Sequence, residues 1–112
     1  MKHELVIHSR YAERADLAAA MRDWPEFVAG AGPDVELADR ATGEMVAIRY
    51  GDGWENDYLS ITTDAPGALF DRAIGGAVRV LLGFDSRIKL RLITPGDTRL
   101  DTPKFVVRDA DG

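Results

Sequence analysis

Residues 4–9 alternate, with Leu5 and Ile7 on one side and Val6 and His8 on the other, so the chain opens with a strand. From Ala12 the period changes. Leu17, Ala20, Met21, Trp24, Phe27 and Val28 fall at helical spacing and form one apolar stripe, which predicts a helix. Pro25 removes a backbone donor and disfavours the α conformation at Trp24, so the helix is expected to kink there. Asp23 followed by Glu26 resembles a capping box for a second short helical piece, which AGAGP at 29–33 then ends.

Residues 35–40 and 44–50 are β patterns flanking Ala41-Thr42-Gly43, where the glycine permits a tight hairpin. After GDGWENDY at 51–58, the segment YLSIT alternates again, so three strands in a row predict an antiparallel meander. Thr63-Asp64-Ala65-Pro66 predicts a helix start, with a side-chain acceptor at the cap and proline in the first turn. Phe70, Ile74, Ala77, Val78 and Leu81 form its buried stripe, widened by Leu69, Ala73 and Leu82. The Gly75-Gly76 pair inside this helix costs roughly 0.5–1 kcal/mol per glycine relative to alanine. A close approach to the sheet or to another helix would compensate. RIKLRLIT is a strand, and KFVVR after Pro95-Gly96 is a short last one.

The order β-α-β-β-β-α-β-β breaks the alternation of a parallel α/β fold. It predicts an α+β two-layer sandwich, a mostly antiparallel sheet with two helices on one face, as a single domain over residues 1–112. Alternation within nearly every strand predicts one buried sheet face and one wet one.

Composition narrows the function classes. Apolar residues make up 46% and charged residues 29%, an ordinary globular balance. The net charge of −5 opposes non-specific nucleic-acid binding and suits a basic protein partner. The absence of cysteine removes disulfides, thiolate metal sites and thiol catalysis, and fits a reducing compartment. The apolar run before His8 is too short for a signal-peptide core, and no segment reads as a membrane span, so a cytoplasmic location is expected.

Four constellations bear on chemistry. His8 and Ser9 are adjacent, and successive strand residues point to opposite faces, so they cannot act as a nucleophile–base pair. Asp52, Glu55 and Asp57 invite a calcium reading, but counting from Asp52 places Trp54 at the third position and Asp57 at the sixth, where an EF-hand needs a ligand and a glycine. Asp109 and Asp111 begin a similar pattern that breaks off at Gly112. Gly30-Ala31-Gly32 follows a predicted helix, whereas a dinucleotide loop follows a strand. No catalytic residue, metal site or cofactor is therefore assigned.

Arg87, Lys89 and Arg91 alternate on one strand and form a basic stripe. It would serve an anion or an acidic partner, or else pair with acids such as Glu36, Glu44 or Glu4 across strands. In GDGWENDY, Gly51 and Gly53 supply turn chemistry, and Trp54 either tucks over the sheet or anchors a contact. In the second case Trp54 and Tyr58 are aromatic anchors, and Asp52, Glu55 and Asp57 form an acidic rim. The function expected from these features is a non-enzymatic protein-binding domain of inhibitor, immunity-protein or adaptor type, recognising a basic partner through residues 52–58. The alternatives are a self-associating subunit whose helices meet at Gly75-Gly76, and, third, a small enzyme using carboxylates or His8.

Overall fold

The computed structural model describes residues 2–51, 58–84, 87–93 and 104–109. Seven strands form one sheet: β1 (His3–His8), β2 (Phe27–Ala31), β3 (Asp34–Ala38), β4 (Met45–Tyr50), β5 (Tyr58–Thr63), β6 (Arg87–Ile93) and β7 (Lys104–Asp109). Their order across the sheet is β2-β3-β4-β5-β1-β6-β7, and every pairing is antiparallel. A 3₁₀ turn (Ala12–Arg14), helix α1 (Leu17–Met21) and helix α2 (Ala68–Leu82) are the other elements among the described residues.

Alternation decides which face is covered. Leu5 and Ile7 of β1, Val35 and Leu37 of β3, Val46 and Ile48 of β4, Leu59 and Ile61 of β5, and Ile88 and Leu90 of β6 all join one core. Leu17 and Met21 of α1 and Leu69, Phe70, Ala73, Ala77 and Leu81 of α2 close it from above. Both helices thus lie on the same face, which makes the α+β sandwich expected from the periodicities. The opposite face is uncovered by either helix, but it is not wet throughout. Val6 sits on it and is only 4% exposed, flanked in register by Ser60 and Arg91.

Two local predictions need correction. The first concerns residues 23–31. Helix α1 ends at Met21, and no second helical piece follows Asp23; instead FVAGA becomes β2. Pro25 has no N–H to give to Met21, and the chain turns as Trp24 donates to the Met21 carbonyl (3.0 Å) and Phe27 to that of Trp24 (3.1 Å). Gly32 at φ 60° then turns the chain into β3, so AGAGP belongs to a strand and a hairpin turn.

Second, α2 begins at Ala68 and not at Thr63. Thr63 is the last residue of β5, and its hydroxyl donates to the Met45 carbonyl (2.7 Å). The helix cap at Gly67 has no side-chain acceptor of its own. Glu44 supplies one from the β3–β4 hairpin: its carboxylate accepts from the N–H of Leu69 (3.2 Å) and of Phe70 (2.8 Å). A carboxylate at this end also opposes the positive end of the helix dipole.

The glycine pair divides between two fates. A Cβ on Gly76 would lie 3.0 Å from Met21 Cε and 3.1 Å from the Trp24 ring, so the predicted close approach is to α1 and the residues after it. A Cβ on Gly75 would meet nothing within 4 Å, and nothing in the structure explains that glycine.

Candidate functional site

The uncovered face is built by β1, β4, β5 and β6, whose alternate residues register in rows. One row runs Gly51, Tyr58, His8, Lys89. Gly51 donates its N–H to the Tyr58 carbonyl (3.0 Å), which extends the β4–β5 pairing by one step beyond Tyr50 and Leu59. The Tyr58 ring lies across Gly51 so closely that a Cβ there would fall 2.5 Å from ring carbons. On its other side the ring stands 5.9 Å from the His8 imidazole, tilted by 47°. A cross-strand aromatic over glycine restores packing that the glycine lacks. Tyr58 is therefore held from both sides and remains half-buried.

Of the five residues predicted to make the contact, Tyr58 is placed in this way. Asp52, Trp54, Glu55 and Asp57 lie outside the described residues. His8 and Ser9 do diverge. Ser9 is buried, its hydroxyl accepts from the Tyr11 N–H (3.3 Å), and its carbonyl accepts from Ala12 (3.1 Å), so it is committed to the turn after β1.

Each acid proposed as a partner for the basic stripe has a described partner, while the side chains of Arg87 and Arg91 lie outside the described residues. Glu36 pairs with Arg49 at 2.9 Å, Glu44 caps α2, and Glu4 accepts from the Ser60 hydroxyl. Topology explains the first of these: β4, β5 and β1 stand between β3 and β6. In register, Arg87 faces Asp109, Lys89 lies between His8 and Val107, and Arg91 lies between Val6 and Phe105. Lys89 is exposed. Lys89 thus lies in the same row as Tyr58 and His8.

Two features were not anticipated from the sequence. Glu26 is only 9% exposed and forms an ion pair with Arg72 of α2, whose guanidinium lies 4.8 Å from the centre of the Trp24 ring. The pair borders an open cleft of about 810 Å³ that Pro25, Phe27, Ala38 and Arg40 also line. Glu26 and Arg72 are 46 positions apart, so only an acid set among apolar neighbours hinted at the pairing. On the uncovered face a smaller hollow of about 220 Å³ is lined by Val28, Met45, Ala38, Ala47 and Thr62. Val28 is 59% and Met45 68% exposed.

Among the described residues no group of three or more His, Asp or Glu is arranged to hold a metal ion, and no helix is long and apolar enough to cross a membrane. Comparison of the chain with family models, with curated proteins and with solved structures returned no match.

Proposed function

We propose that this chain is a non-enzymatic protein-binding domain that recognises a basic partner at the 51–58 end of its uncovered sheet face. The supporting observation is the ledge formed by Tyr58 and His8, next in sequence to the acidic residues 52–57, on a face that neither helix covers. Rigid aromatic groups make good anchors because they bury much surface for little entropy loss. Asp52, Glu55 and Asp57 follow Gly51 directly and would draw a basic surface towards that ledge. A role as an inhibitor, immunity protein or adaptor, in the cytoplasm, accords with the small size, the charge of −5 and the lack of cysteine.

Kinetics of the captured partner test this reading. Asp57→Lys should lower the association rate about tenfold at low salt and less at high salt, since steering is screened. Trp54→Ala and Tyr58→Ala should instead speed dissociation, by about 2 kcal/mol if each is an anchor. Rates that none of these changes alters would remove the loop and its ledge from the contact.

A further inference from the structure

Strand β2 ends the sheet: it pairs with β3 on one side, and among the described residues nothing pairs with the other. Residues 28–31 are exposed, and none of the five residues FVAGA carries a charge. The opposite end strand, β7, contains Lys104, Arg108 and Asp109. End strands are normally guarded against further pairing by charges, proline, a bulge or a covering segment. Strand β2 has one such guard, a shift of register between Phe27 and Ala29. Beyond it the ladder is regular, with Ala29 opposite Glu36, Gly30 opposite Val35 and Ala31 opposite Asp34.

We propose that this edge pairs with the same edge of a second copy of the chain, antiparallel, about a two-fold axis normal to the sheet. Such an axis generates an antiparallel ladder, the kind every pair of described strands forms. The charge of −5 opposes approach of two copies over most of their surface, but two uncharged strands bring no like charges together. A foreign partner selected by charge would find nothing to read on FVAGA. The exposed Val28 would gain the alanines and glycine of the second β2 as neighbours. With so short a regular run, the dimer is weak and concentration-dependent. This edge is separate from the 51–58 ledge, so the two proposals stand or fall independently.

Sedimentation velocity on the full chain, from micromolar to millimolar concentration, tests it. Wild type should show a reversible monomer–dimer equilibrium. Ala29→Lys, whose new lysine has Glu36 opposite it within the same chain, should keep the wild-type circular dichroism and stay monomeric. Met45→Lys, on the uncovered face, should dimerise as wild type does. Amide exchange over residues 28–31 of wild type should slow as concentration rises, a reading that needs no variant. Wild type that stays monomeric at millimolar concentration overturns the proposal. So does a dimer that Ala29→Lys leaves intact, or one that Met45→Lys also abolishes.

Discussion

Replacing Glu44 by alanine should uncap α2 from a distance of more than twenty residues. The first turn of a helix has four N–H groups without helical partners, and here Glu44 accepts from two of them, Leu69 and Phe70. Loss of an ordinary N-cap costs about 0.5–2 kcal/mol, and hydrogen bonds to a charged group lie at the upper end of the usual range. Glu44 is half-buried, so solvent replaces part of what is lost, and a value of about 2 kcal/mol is reasonable for Glu44→Ala. In a domain of this size, that lowers Tm by about 8 °C at roughly 4 °C per kcal/mol. Glu44→Gln keeps a carbonyl acceptor without the charge and should lose about half as much.

Gly67 supplies an internal check. A Cβ there would fall 2.8 Å from Glu44 Oε1, so Gly67→Ala should displace the carboxylate and destabilise wild type. In the Glu44→Ala background the same change meets no carboxylate and should be near neutral. Urea denaturation of the four proteins should therefore give a coupling of at least about 1 kcal/mol. Additive effects, or a Glu44→Ala protein within about 0.5 kcal/mol of wild type, would refute the capping argument.

Other changes separate neighbouring residues by their surroundings. Gly75→Ala should stabilise by about 0.5–1 kcal/mol in thermal denaturation, because the new methyl enters open space and the helix loses a glycine. Gly76→Leu should destabilise by about 2 kcal/mol through its clash with Met21 and Trp24, leaving the monomer–dimer equilibrium unmoved. Gly51→Ala should displace the Tyr58 ring and cost about 1–2 kcal/mol, and Tyr58→Ala should relieve most of that cost in the double variant. Arg72→Met should strand the buried Glu26 carboxylate and cost about 1–3 kcal/mol in urea denaturation, with a change in tryptophan fluorescence as the cation leaves Trp24.

The fold class was legible because strands that bury one face must alternate, and β3, β4 and β5 do so over five or six residues each, while β1 keeps the pattern except at the buried Val6. FVAGA misled because Trp24, Phe27 and Val28 extend a helical period as readily as they start a strand, and a five-residue run cannot distinguish the two. The start of α2 was misplaced for another reason. Thr63 has the chemistry of a cap, but its hydroxyl is taken by Met45, and the acceptor that does the capping comes from a different hairpin. Glycine gave a partial signal: the cost of Gly76 demanded a close neighbour, and Met21 and Trp24 are there, whereas Gly75 obeyed no such demand. At the site, Tyr58 was legible as an aromatic beside a turn, but its partners were not. Packing on Gly51 and against His8 follows from strand order, which local periodicity does not encode. The Glu26–Arg72 pair was hidden for the same reason.

The most direct test of the binding proposal compares two affinity columns loaded with lysate of the native host. One carries wild type, and the other carries the chain with Asp52, Trp54 and Asp57 changed to alanine, after its circular dichroism has been matched to wild type. A basic protein should be retained by wild type, released by salt and absent from the variant column. Columns that retain the same proteins would contradict it and leave residues 51–58 as a turn.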